Sequence, residues 1–227
     1  AQDIPVDLLN DMLETSFRAA TMGNMQLYSV VVTRDPEMKA QLAPAHFNQP
    51  MVTSAPVILT FCADFNRFSK WCCQRKAEPG YDNLLSFMNA MTDALLVTQN
   101  FCTIAEDKGL GTCFLGTTIY NPHQIIEILN LPELVIPVAT ITVGYPDESP
   151  AQPDRLPIKE KYHDYTPEEI EDIFAYKESL PENRHFVEIN HTETLAQIFT
   201  DIRYRKADNE AMSDLLKKTL KQQLFDK

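Results

Sequence analysis

The 227-residue chain is 44% hydrophobic, enough for one large domain or two small ones to bury a sizeable core, which excludes disorder. Its formal charge of −12 excludes unpatterned binding to nucleic acid or to anionic membrane surfaces. The apolar runs at 55–63 and 134–145 fall far short of the roughly 20 residues that span a bilayer, no secretory signal is visible in the residues read, and five cysteines without framework spacing point to reduced thiols in the cytoplasm.

Ala1 rather than Met comes first, so a further upstream segment is expected. Residues 5–20 place Val6, Leu9, Met12, Leu13, Phe17 and Ala20 at three- and four-residue spacing, the stripe of an amphipathic helix. Residues 27–33 and 56–62 are short β-branched runs that predict strands, and 36–42 predicts a short helix ending before Pro44. Residues 84–108 are the longest helical pattern, with Leu84, Met88, Met91, Leu95, Thr98, Cys102 and Ala105 on one stripe and Gly109 in place to end it. Because this helix is apolar off the stripe as well, it should be buried centrally or between subunits. A strand at 113–115 follows, then a helix to 129 announced by Asn121 as N-cap and Pro122 in the first turn, then a strand at 134–143. Residues 147–165, rich in proline and charge, read as an extended surface arm. Thr166-Pro-Glu-Glu169 has the form of a capping box opening a mostly solvated helix, and two more helical stretches lie at 194–200 and 209–225. A few strands among more helix, without regular alternation, indicate an α+β fold.

Two segments could carry chemistry. Residues 20–26, Ala-Thr-Met-Gly-Asn-Met-Gln, put the backbone freedom of Gly23 beside the carboxamides of Asn24 and Gln26, a set able to read the hydrogen-bonding edge of a planar heterocycle. An ordinary helix-to-strand connection with a capping glycine fits the same spacing. Residues 109–118 hold three of the chain's six glycines, which suggests close backbone approach to a ligand or a tight turn into a strand. Gly109, Gly111 and Gly116 have neither dinucleotide-fold nor Walker-loop spacing. Adjacent Cys72 and Cys73 have no histidine at ligand spacing, so no metal site is expected. The five histidines are scattered and are expected at the surface or in caps. Residues 202–206, Ile-Arg-Tyr-Arg-Lys, form the one basic cluster, suited to an anion such as phosphate or simply to solvent.

Taken in order, these segments resemble the nitroreductase family of FMN-dependent oxidoreductases, in particular its oxygen-insensitive nitroreductase and NADPH-flavin reductase branch. The resemblance is carried by Ala20-Thr-Met-Gly-Asn-Met-Gln-Leu-Tyr28, Phe61-Cys-Ala-Asp-Phe-Asn-Arg67, Gln99-Asn100 with 105–111, Phe114-Leu-Gly-Thr117, Ile128-Leu-Asn-Leu-Pro-Glu133, Val143-Gly-Tyr-Pro146 and Arg155-Leu-Pro157, and it extends from Pro5 to about Leu156. It implies a three-layer α/β/α sandwich forming an intertwined homodimer, with residues 1–227 as one domain that includes a 147–165 arm and a 166–227 helical extension. It also implies FMN at the dimer interface, contacted by Thr21, Asn24, Gln26 and Gln49, with Phe114, Leu115, Gly116 and Thr117 along the ring and Arg155 on the phosphate side. Arg203 and Arg205 are the expected partners of the NADPH phosphate.

The implied activity is ping-pong hydride transfer from NADPH or NADH through FMN to a nitroaromatic, a quinone or free flavin, with no obligatory side-chain acid or nucleophile. The partners are then a small-molecule acceptor and a second copy, not nucleic acid or membrane. Two departures stand out. The family's basic phosphate-gripping stretch would fall upstream of Ala1, and Pro153 replaces a basic residue two positions before Arg155. Loss of two charge-assisted bonds would weaken flavin binding by about 3 to 6 kcal/mol. Alternatives are a non-catalytic flavin-binding protein, or a specialised relative such as a reductive dehalogenase.

Overall fold

The computed structural model describes residues 2–149, 151–156 and 166–226. The chain forms two compact units, Ala1–Asp147 with Met212–Lys227, and Glu148–Ala211.

The first unit is built on an antiparallel sheet whose strands are β1 (Tyr28–Thr33), β2 (Val57–Asp64), β3 (Gly111–Leu115) and β4 (Val135–Gly144), lying side by side as β1-β2-β4-β3. All of β2 and all but the last residue of β4 are buried. Helices cover both faces of these strands, so their sequences run apolar instead of alternating. Val57, Leu59, Phe61 and Ala63 join the core formed with α1 (Val6–Ser16) and α5 (Leu84–Asp107), while Ile58 joins a second core with α2 (Pro36–Leu42), α3 (Pro50–Ser54) and α6 (Pro122–Leu129). This is the expected helix–sheet–helix layering. The register shifts where Phe61 pairs with Ala139 and Cys62 with Pro137, leaving Val138 as the extra residue of a bulge. Pro137, which has no N–H to offer, is tolerated in a central strand because the ladder is broken there.

α5 starts at Asn83, whose Oδ1 accepts from the Ser86 N–H at 3.0 Å, and ends before Gly109, which takes the left-handed φ of +75° that a helix-terminating glycine supplies. Its 24 residues, about 36 Å long, cross the sheet with Phe87, Ala90, Ala94, Val97 and Phe101 inward. Its other side leaves Leu85, Met88 and Leu96 exposed.

α1 stops at Ser16, four residues short of its predicted end. Ser16 Oγ donates to the Leu13 carbonyl at 2.7 Å, and Asn100 Nδ2 donates to the Ser16 carbonyl at 3.0 Å, so the last turn's carbonyls are satisfied without further helix. Asn121 does not cap α6 with its side chain. Its Nδ2 instead donates to the Ala45 carbonyl at 2.9 Å. α3 and α4 (Asn66–Gln74) were not signalled by the sequence pattern; both are short, and α4 buries only Ser69 and Cys72.

In the second unit, α7 (Pro167–Ser179) opens on the predicted capping box, with Glu169 N donating to Thr166 Oγ1 and Thr166 N to Glu169 Oε2. It buries only Ile173, as a mostly solvated helix should. α8 (Pro181–Ile189), unpredicted, comes next, then α9 (Leu195–Gln197), which runs into a π-helical turn at Ile198–Arg203. α10 (Lys206–Gln222) begins in this unit and finishes in the first, where Leu220 and the following Phe225 enter the core against Phe87. Residues 151–156 of the predicted arm have no regular structure, and 157–165 lie outside the described residues. Among the described residues, no helix is long and apolar enough to cross a membrane, and no group of His, Cys, Asp or Glu could hold a metal ion.

Candidate functional site

Between α1 and β1 the chain makes a tight turn that contains Thr21, Asn24 and Gln26. Gly23, Asn24 and Gln26 all adopt left-handed φ values of 52°, 56° and 55°, a conformation that costs non-glycine residues about 1 kcal/mol or more each. The side chains of Asn24 and Gln26 are exposed, and their mutual contacts are long: Gln26 Nε2 stands 3.4 Å from the Asn24 carbonyl and 3.5 Å from its Oδ1. Their donors and acceptors are therefore open to a ligand.

The turn is held from two sides. Asp93 on α5, 2% exposed, accepts from the Met22 N–H at 2.8 Å and the Leu27 N–H at 3.1 Å. Arg67 on α4 donates through Nη2 to the carbonyls of Gln26 at 2.5 Å and Tyr28 at 3.2 Å. Asp64 in turn accepts from the Arg67 N–H at 3.2 Å and from the Ser29 hydroxyl. Burial raises the Tyr28 phenol pKa, and Asp93 adds to the rise while Arg67 opposes it. A cavity of about 360 Å³ opens beside the turn, lined by Phe17, Gln26, Tyr28, Ser29 and Arg67 among others.

The second group of predicted contacts is assembled around a histidine. His46, fully buried, ends the turn Ala43–His46, and its Nδ1 lies 2.8 Å from Thr117 Oγ1. This bond joins the loop carrying Gln49 to a second loop, at Gly116 and Thr117, that continues from Phe114 and Leu115 at the end of β3. Leu115 and Thr117 are buried and anchor the second loop; Phe114 is 49% exposed, and a Cβ on Gly116 would meet nothing within 4 Å, so the loop presents an aromatic face and open backbone. Phe47 and Asn48, just before Gln49, are again left-handed, at φ 54° each. Such clustering of strained backbone marks segments whose shape is imposed by their surroundings. Among the described residues His46 Nε2 has no partner, so a second proton there would be buried unpaired, and burial lowers the imidazole to about 4.

The structure thus brings Thr21, Asn24 and Gln26 together, and separately Gln49 with Phe114, Leu115, Gly116 and Thr117. The first group leads into β1; in the second, Phe114 and Leu115 end β3, Gly116 and Thr117 follow it, and Gln49 sits just before α3. β1 and β3 are at opposite edges of the sheet, three spacings or roughly 14 Å apart. Arg155 belongs to the second unit, where its Nη1 donates to its neighbour's carbonyl, Asp154 O, at 2.8 Å. There too, Arg203 stacks over the Phe186 ring at 4.8 Å, and Arg205 pairs with Asp208 at 2.7 Å.

Sequence reasoning missed Asp93, Arg67 and His46. Asp93 carried a usable signal, being the only charged residue between 84 and 105. His46 was expected at the surface or in a cap and is instead a buried tie. Cys62 is inert by burial, which together with the Asp64 charge pushes its thiol far up.

A model of the nitroreductase family matches residues 1–145. Among curated proteins, the FMN reductase (NADPH) of Bacillus subtilis (strain 168) is 30% identical over 168 residues, covering 73% of this chain and 67% of that protein. The FMN reductase [NAD(P)H] of the same organism is 31% identical over 193 residues, covering 79% and 76%. Among solved structures, a protein of Bacteroides fragilis NCTC 9343, provisionally described as an oxidoreductase, is 64% identical with a TM-score of 0.97, covering 100% of this chain and 94% of that one.

Proposed function

Given that the chain belongs to the nitroreductase family, we infer that it is an FMN-dependent NAD(P)H oxidoreductase that reduces nitroaromatics, quinones or free flavin by ping-pong hydride transfer. FMN, when bound, supplies the capacity to accept hydride from the nicotinamide and hand two electrons to the second substrate. The residues present suit that group. Asn24 and Gln26 offer exposed carboxamides that both donate and accept, as the imide edge of a flavin requires. Phe114 offers a ring face, and Gly116 lets the backbone come close. The protein's part is to bind and orient, so no side-chain acid or nucleophile is assigned.

The observation that supports this reading most directly is the strained, exposed Asn24–Gln26 turn in a chain of this family. Thr21, Asn24, Gln26, Gln49, Phe114, Leu115, Gly116 and Thr117 are proposed as FMN contacts, with Arg155 on the phosphate side and Arg203 and Arg205 serving the nicotinamide nucleotide. We further propose a homodimer. In the proposed dimer the flavin is met by the Thr21–Gln26 turn, which leads into β1, of one copy and by Phe114–Thr117, at the end of β3, of the other. The exposed Leu85, Met88 and Leu96 of α5 supply an apolar face for such an association. Residues 1–227 are taken as one domain of this type with its arm and helical extension. A reducing cytoplasmic setting accords with the five free cysteines.

The test is a visible absorption spectrum of the FMN-loaded protein before and after anaerobic NADPH. Bleaching of the flavin bands is expected. Bound flavin that neither NADPH nor NADH reduces would replace this reading with a non-catalytic flavin-binding protein.

A further inference from the structure

We propose that Asp93 is a positioning residue for flavin binding: its buried carboxylate sets the conformation of the 22–27 turn and thereby aims Asn24 and Gln26 at the ring. This rests on reading that turn as a flavin contact. Asp93 reaches the turn from a helix 71 and 66 residues further along the chain, and its two oxygens take the two amides at the turn's ends, Met22 N and Leu27 N. One carboxylate therefore closes the loop. Between those amides lie Gly23, Asn24 and Gln26 in the left-handed region, a run that would relax if nothing outside the turn imposed it.

Arg67 completes the hold by taking carbonyls where Asp93 takes amides, at Gln26 and Tyr28. With the backbone polar groups engaged from both sides, the exposed side chains of Asn24 and Gln26 face outward with only long contacts to each other. The charge on Asp93 matters as well as its shape. An asparagine there could accept from one amide, but its NH2 would face the other N–H, and the loop would lose one of its two fastenings.

The experiment compares the full-length wild type with Asp93→Asn and Arg67→Met, reading hydrogen exchange of the Met22 and Leu27 amides, FMN affinity by fluorescence quenching, and the visible spectrum of bound flavin. Asp93→Asn is expected to speed exchange at the turn by about tenfold or more and to weaken FMN by about 10- to 100-fold, the loss of one charge-assisted bond's worth of order. A shifted visible band should accompany it, because the carboxamides no longer meet the ring in the same way. Arg67, exposed, can be replaced without touching the core, and Arg67→Met is expected to weaken FMN by about tenfold. Faster turn exchange in Asp93→Asn with unchanged flavin affinity and spectrum would overturn the proposal. Should Asp93→Asn not fold, unchanged FMN affinity in Arg67→Met would overturn it. A wild type that takes up no FMN while its Met22 and Leu27 amides stay protected removes the cofactor reading and this role with it, and the protected amides separate that failure from a wrong reading of the hold.

Discussion

Acid should unfasten the His46–Thr117 tie, and the size of the effect follows from burial. An imidazole in the unfolded chain titrates near 6.5, whereas His46 in the fold is lowered to about 4. Between these values the unfolded chain binds a proton that the folded one refuses. Stability from this residue is therefore complete above about pH 6.5 and declines as pH falls toward 4. At 1.36 kcal/mol per unit, the decline reaches about 2.7 kcal/mol near pH 4.5 and about 3.4 kcal/mol in full. Urea unfolding at about pH 7 and about pH 4.5 would measure it against His46→Gln, which keeps an amide beside Thr117 and cannot titrate. The variant should start less stable and lose about 2 to 3 kcal/mol less than wild type over that interval. Carboxylates elsewhere contribute equally to both proteins and cancel. Equal losses in the two would refute the assignment of a neutral, buried His46.

Other substitutions test other parts of the argument. Gly23→Ala brings the new methyl into no more than ordinary contact with the Met25 side chain, at 3.9 Å, but places it at φ +52°, and should cost about 1 kcal/mol in thermal unfolding together with weaker flavin retention. Phe101→Ala empties a fully buried position packed on Phe61 at 6.3 Å between ring centres, and a loss of about 3 to 5 kcal/mol is expected in denaturant titrations. Asn83→Ala removes the cap from Ser86 N and should cost about 1 kcal/mol without altering the flavin spectrum. Leu85→Glu puts a charge on the exposed apolar face of α5; sedimentation should show a monomer that has also lost FMN, and an unchanged dimer would place the association elsewhere.

What could be read from the residues, and what could not, divides along physical lines. β2, β4 and α5 were plain because each buries enough apolar surface to leave a run or a stripe in the sequence. α3 and α4 left no such trace, since a helix that buries one or two side chains needs almost no pattern. The end of α1 depended on Asn100, distant in sequence, taking the Ser16 carbonyl, and Asn121 looked like a cap because nothing local reveals that Ala45 O claims its amide. The residues proposed to touch the flavin were found through their motifs, but the residues that shape those motifs, Asp93, Arg67 and His46, act across sequence separations of 39 to 71 residues. Spacing alone does not report a contact made that far away.

The chain leaves the first unit after Asp147 and comes back at Met212, and its last buried side chains, Leu220 and Phe225, close the same core that Ile4 and Leu9 open. The intervening 148–211 segment is thus an excursion spliced into a framework that is finished only when the chain returns. Every strand of the sheet, and Asp93 with the two amides it holds, lies outside that segment. Trimming the last fifteen residues is a different matter: it would open the core of the first unit itself.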